Sequence, residues 1–431
     1  MFLQLFLKEC KYLLHSLTFY LYLACVIFMY VSQVLPEMKI IEEPKVGQED
    51  YGMKYSKDQN DIRKAAVETL IREYTANSYT AYPFGFYKRV ILNEMKQNQV
   101  QDILLKLTGL RIEEINEKIE AYISQFNQNE EGYSIDEEGN IISPVTEEDT
   151  VELDIQVVDT ITYENFLELM EDLNNIIGGG SNYTGVFLSN MAMEPRTYED
   201  ARNEYHEIIE KDKMTGAYAR VFCDYIGIFL AILPVFVAVT MGLRDKKSKC
   251  KELVYVSNTS SKVIVLSRYL AMVVMMFLPI LIFALEITFE FIMFGRDSGI
   301  EIDSFAFVKY SATWLLPNIL VATSVGIFCT EIFESAVAIA VQGLWWIISL
   351  FHGMQYINGG YSNLLLIRHN ELGNYDVYQK YLNTLIVNRV GYTALALALV
   401  GVTVIIYEEK RKGKFHAVRT ILSNRKSKCK A

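Results

Sequence analysis

The chain has 431 residues, of which 51% are hydrophobic and 13% aromatic, and a formal net charge of −11. That charge is uneven. Residues 36–219 hold 17 Lys+Arg against 37 Asp+Glu, a net −20 with no cysteine, whereas the remainder holds 24 against 15 and is net +9. Two opposite chemistries share the chain, so its overall acidity describes neither part and gives no reason to expect a nucleic-acid partner.

In chain order, residues 1–15 read as an amphipathic helix on the inner membrane surface. Gln4, Lys8, Lys11 and His15 share one stripe, and Phe2, Leu3, Phe6, Cys10, Leu13 and Leu14 lie opposite. Residues 16–35 are long and apolar enough to cross a bilayer core of about 30 Å. They lack a small-x-small cleavage site, so the span is expected to stay in the mature protein.

Residues 36–219 form the acidic insert. Helical patterns run over 61–74, 111–126 and 162–177, with Gly109 a C-cap after a helix starting at Gln99. A hairpin over 133–145 turns at Glu138-Gly139-Asn140, and Val151, Leu153, Ile155 and Val157 alternate with polar residues as a half-buried strand should. The run Gly178-Gly179-Gly180-Ser181 lacks the Lys-Ser/Thr end of a phosphate cradle and reads as a flexible loop. Thr197-Tyr198-Glu199-Asp200 resembles a capping box opening a helix toward the second span.

Five further spans follow, at 221–243, 269–294, 305–329, 335–352 and 390–407, with a short hinge over 330–334. Arg220 and Asp224, four apart, suggest a local pair. Glu286 and Glu290 share one face of the third span near its outer end, either as a solvated or partnered pair or as part of a substrate pathway. Within residues 353–389, the segment from Leu364 to Asn374 is too apolar at its start for an ordinary loop and too short to cross twice. Residues 353–389 therefore read as a pair of re-entrant or interfacial helices that keep Arg368 and His369 at headgroup level, bracing the outer mouth or touching substrate.

Orientation follows from the cations. Residues 1–15, 244–268 and 408–431 hold two, seven and nine Lys+Arg, whereas 295–304 and 353–389 hold one and three. By the positive-inside rule both termini, the 244–268 loop and the basic 408–431 tail are cytoplasmic, and the insert faces outward. Nothing assembles a catalyst. There is no G-x-x-x-x-G-K-[ST] and no H-E-x-x-H, the five histidines are scattered, Glu113-Glu114 lie outside the membrane, and no cysteine pair has zinc-ligand spacing. No metal site and no enzyme activity are expected of this chain.

The loop Glu252-Leu253-Val254-Tyr255-Val256-Ser257-Asn258-Thr259-Ser260-Ser261-Lys262 is a short amphipathic helix carrying an acid, then a polar turn, then a cation at the membrane edge. It resembles the coupling segment of type-2 ABC exporter permeases, although its turn has no proline. The six-span order, the amphipathic start and the outer segment before the last span extend the likeness. The large domain after the first span is similar to that of sodium-export-type permeases and A-subfamily lipid exporters. The resemblance implies a permease dimer, of two copies or of related permeases, seated on a cytoplasmic ATPase pair that holds ATP-Mg. Glu252, Leu253, Tyr255 and Ser257 would then lie at the ATPase groove.

The expected fold is therefore a polytopic α-helical membrane protein of six transmembrane helices, with a mostly helical α+β extracellular domain inserted after the first. The expected role is ATP-driven export of a peptide, lipid or other amphiphile. The alternative is a membrane sensor or resistance protein whose outer domain binds a ligand, and an ion-coupled transporter would show internal repeats that are not evident.

Overall fold

The computed structural model describes residues 1–83, 86–129, 134–135, 141–142, 155–354 and 360–414. The chain divides into two compact units, Met1–Gln48 with Tyr198–Ala431, and Glu49–Thr197.

The first unit is helical. Among the described residues, Leu17–Glu37, Thr215–Lys247, Ser261–Ser298, Ala306–Phe333 and Tyr375–Arg411 are long and apolar enough to cross a membrane, and Val337–Gly353 is a shorter apolar helix. The chain is a polytopic helical membrane protein. Several helices outrun their apolar stretches. Ser261–Ser298 has 38 residues, about 57 Å at 1.5 Å per residue against a core of about 30 Å. Its start is fixed by the Ser260 side chain, which accepts from the Val263 amide, and its end by Gly299 at φ 75°.

Prolines set the irregularities. The wide turns Tyr30–Val34 and Ser311–Leu315 run directly into Leu35-Pro36 and Leu316-Pro317. A proline inside a helix removes one N–H and crowds the preceding turn, and a locally widened helix relieves both. Before Pro234 the helix breaks at Ala231 and Ile232. The Ala231 carbonyl there accepts from Gln342 Nε2 at 2.6 Å, and the Ile228 carbonyl accepts from Trp346 Nε1 at 2.8 Å. The short apolar helix thus satisfies backbone that the break leaves free.

The core is pinned by Tyr22 Oη donating to the Met276 carbonyl at 2.7 Å and Tyr269 Oη donating to the Leu320 carbonyl at 3.1 Å. Gly326 of the fourth span faces Ala238 of the second so closely that a Cβ would overlap it. Small residues permit such close approach of membrane helices.

Among the described residues of 353–389 there is no pair of separate short helices. Residues 360–374 are irregular, with one antiparallel bridge between Gly360 and Arg368, and the last helix already begins at Tyr375. The apolar run is irregular yet buried, with Leu365, Leu366 and Ile367 in the core. Its carbonyls are satisfied from the last helix: Asn388 Nδ2 donates to Ser362 and Leu364, each at 2.8 Å, and Arg389 Nη2 donates to Leu365 at 2.7 Å. Side chains replace the helical bonds that the expected hairpin would have supplied.

The second unit is narrower than the expected 36–219. Residues 36–48 and 198–219 belong with the membrane helices, where Tyr218 Oη accepts from the Ile41 amide and donates to the Lys39 carbonyl, both at 2.9 Å. Helices Gln59–Thr75, Glu94–Thr108 and Tyr163–Ile177 build the core of the second unit from Leu70, Leu104, Phe166 and Leu173 among others. Asp58, Asn93 and Thr162 cap their starts, and Gly109 and Gly178 close the last two at φ 69° and 115°.

Among the described residues, three separate antiparallel pairs take the place of a single sheet. They join Met53–Tyr55 to Met193–Pro195, Tyr79–Ala81 to Lys88–Val90, and Ser134–Ile135 to Ile141–Ile142. The last is the expected hairpin, whose turn residues lie outside the described set. Of the expected strand, 151–154 also lie outside it, and Ile155 is a buried core residue in irregular chain.

The glycine run is a built turn, not a loose loop. Gly180, at φ 69°, accepts from the Tyr82 amide at 2.6 Å, and buried Ser181 donates to Asn174 Oδ1 at 3.0 Å.

Candidate functional site

The stretch that resembles a coupling segment begins after Lys249, at φ 57°, with the short helix Lys251–Tyr255. Its face divides. Leu253 and Val256 are 71% and 81% exposed, and Glu252 is exposed beside them. Tyr255 turns inward, its ring edge-on to Tyr407 with centroids 5.3 Å apart. Burial and the nearby Glu331 carboxylate push its phenol well above the ordinary range.

The polar turn that follows is held by one side chain at the end of the last helix. Arg411 donates to the carbonyls of Tyr255 at 3.0 Å, Ser257 at 2.7 Å and Thr259 at 2.6 Å, and to Ser261 Oγ at 3.1 Å. The planar five-donor guanidinium suits this clasp of several backbone oxygens.

Around this loop lies an ion-pair network. Glu9, buried in the helix Phe2–Leu13, accepts both Arg244 Nη1 at 2.6 Å and Nη2 at 2.9 Å, and stands 3.5 Å from Arg268. Asp245 bridges Arg268 at 2.8 Å and Arg244 at 3.2 Å. Glu334, the αL residue that ends the fourth span, joins Lys246 at 2.8 Å, Lys251, and Lys410 at 3.5 Å. Burial alone would raise the Glu334 pKa. Hydrogen bonds from Lys246 and Lys251, with the charges of Lys251 and Lys410, outweigh it and hold the carboxyl at about 2.

None of Glu9, Arg411 or Glu334 was singled out by sequence pattern. A signal for Glu9 existed: three residues after Phe6 and four before Leu13, it stands on the apolar stripe.

Arg368 and His369 occupy a second, buried network. Arg220 forks onto Asp212 with two bonds of 2.5 Å, both side chains being almost wholly buried. Its Nε donates to His369 Nε2 at 3.1 Å and its Nη2 to the Gly373 carbonyl at 2.9 Å, while the Tyr378 ring lies 4.7 Å from the guanidinium carbon. His369 Nε2 thus lies between the Arg220 Nε–H and the Gly373 carbonyl, 3.0 Å away, and its Nδ1 meets Tyr361 Oη at 2.5 Å. Burial, reinforced by the Arg220 charge, lowers the imidazole pKa to about 3, which keeps it neutral.

Asp224 pairs with Arg368 Nε and accepts from the Asn370 amide at 2.8 Å. Arg220 and Asp224 therefore do not pair with each other, because each finds a better buried partner elsewhere in the chain. Glu286 and Glu290 are exposed on the third span, with Glu286 accepting from Tyr30 Oη at 3.1 Å. No hydrogen bond or ion pair joins them to Arg368 or His369 among the described residues.

Among the described residues no group of three or more His, Cys, Asp or Glu could hold a metal ion. Apolar helices long enough to cross a bilayer, an exposed short helix on a braced loop between the second and third of them, and a separate compact insert define a membrane permease subunit. The family model for "ABC-2 family transporter protein" matches residues 54–368, well over half of the chain, and the chain belongs to that family. It is accordingly the transmembrane subunit of an ABC transporter, not its ATPase. No curated protein and no solved structure matches it.

Proposed function

We propose that the chain is the membrane half of an ATP-driven exporter, moving a peptide, lipid or other amphiphile outward while a cytoplasmic ATPase pair binds and hydrolyses ATP-Mg. The observation that carries this reading is the divided face of Lys251–Tyr255. Glu252, Leu253 and Val256 stand free to meet a partner, and Tyr255 and the turn through Ser257 are anchored to the last helix by Arg411. Glu252 and Leu253 make the contact in this reading, and Tyr255 and Ser257 shape the surface that presents them.

Val337–Gly353 serves as the sixth span, supported by its apolar length and its bonds to the second-span break. The cations at 1–15, 244–268 and 408–431 support, by the positive-inside rule, a topology with both termini and the docking loop inside and the Glu49–Thr197 unit outside. A second copy or a related permease completes the pathway.

The test is purification of the chain with its genomic neighbours, alongside the Glu252→Arg variant. An ATPase is expected to accompany the intact chain and to be lost from the variant. An intact chain that brings down no ATPase would end the exporter reading.

A further inference from the structure

Between the fourth span and the last helix lies a cavity of about 660 Å³, within the range of roughly 300–1,000 Å³ typical of ligand pockets. Its lower part is apolar, lined by Pro317, Ala394 and Leu397. Its upper part is lined by Tyr310, Thr313 and Tyr378 and by two cations, Lys309 and Arg389, with no acidic residue in the lining.

The cations differ. Lys309 is more than half exposed and already paired with Asp303 at 3.1 Å. Arg389 is buried and gives its donors to neutral oxygens only: Asn388 Oδ1, Asn318 Oδ1 and the carbonyls of Trp314 and Leu365. Among the described residues the other buried arginine, Arg220, has a carboxylate partner, as do the largely enclosed Arg268 and Arg368. Among the described residues Arg389 has none. Its hydrogen bonds fix it in place and leave its charge uncompensated in a membrane helix, where an unneutralised charge is disfavoured.

We propose that this groove holds a resident anionic phospholipid. Its phosphate lies between the Lys309 mouth and the level of Arg389, and an acyl chain runs along Ala394 and Leu397. Arg389 stands at the outer edge of the apolar stretch 390–407, so charge and hydrocarbon meet there in the order that a phospholipid presents them. The site is independent of whether the chain exports anything.

The experiment uses the full-length protein purified in mild detergent. Bound lipid is extracted and quantified by mass spectrometry, and Tm is measured with added phosphatidylglycerol or phosphatidylcholine. About one anionic phospholipid per chain is expected to remain bound, and phosphatidylglycerol should raise Tm by several degrees where phosphatidylcholine does not. Ala394→Trp, which fills the groove from its apolar side, should abolish both effects. Arg389→Gln should remove the preference for the anionic head, and Lys309→Gln should preserve it if the buried arginine carries the selectivity.

Equal shifts with the two lipids, or undiminished retention in Ala394→Trp, would overturn the proposal. So would efficient disulfide crosslinking between copies through Ile386→Cys, since the groove would then be covered by a second chain.

Discussion

Arg411 is the most informative residue to remove, because a single guanidinium holds the proposed docking loop to the last helix. Arg411→Ala deletes four donations, to the carbonyls of Tyr255, Ser257 and Thr259 and to Ser261 Oγ. Hydrogen bonds to a charged group contribute about 1.5–3 kcal/mol each, but this side chain is partly exposed, so about 0.5–1 kcal/mol each is the applicable scale. The sum is about 2–4 kcal/mol, and at 1.4 kcal/mol per factor of ten the released loop becomes roughly thirty to seven hundred times more populated.

The same factor should appear in amide exchange of Val254, Val256 and Ser257, whose N–H groups bond the carbonyls of Cys250, Glu252 and Val254. Hydrogen–deuterium exchange by mass spectrometry on the purified chain measures it. Arg411→Lys, which keeps the charge but loses the fork, should fall between the two. Wild-type exchange in the loop peptides of Arg411→Ala would refute the reasoning, as would equal acceleration throughout the membrane helices.

Two further outcomes follow from the buried network of Arg220 and His369. Arg220→Leu should destabilise the protein by about 3–5 kcal/mol because Asp212 is left buried and unpaired, whereas Arg220→Leu with Asp212→Leu should recover most of that loss. Equilibrium unfolding in mixed micelles of the two singles and the double gives the coupling directly. For His369 the folded pKa of about 3 lies below its ordinary 6.5, so between these values the unfolded chain binds a proton that the folded chain refuses. Its stabilising contribution is complete above pH 6.5 and declines as pH falls toward about 3, by at most about 1.4 kcal/mol per pH unit. His369→Gln should flatten that part of the stability profile, and an unchanged slope would show that the ring is not held neutral.

Local chemistry was legible in the sequence where its cause is local. Gly109 and the hairpin through Ser134–Ile135 and Ile141–Ile142 needed only neighbouring residues to be read. Helix length was not, because hydropathy ends at the membrane edge while Ser260 and Gly299 decide where the third helix starts and stops. The spacing of Arg220 and Asp224 was misleading for a related reason. Four-residue spacing describes pairs on exposed helix faces, and in a buried setting the strongest partner wins wherever the chain brings it, here Arg368 for Asp224. The glycine run looked loose because its order comes from Tyr82 and Asn174, neither of which a glycine count can reveal.

The pairing of Met53–Tyr55 with Met193–Pro195 has a consequence for how this family can vary. Paired strands lie about 4.8 Å apart, so the inserted unit is entered and left through one narrow doorway. Residues can be gained, lost or exchanged beyond that doorway without changing the gap that the flanking chain must bridge. The insert is in that sense a cassette, and its boundaries at the strand pair are the natural places at which to cut it out or graft in another.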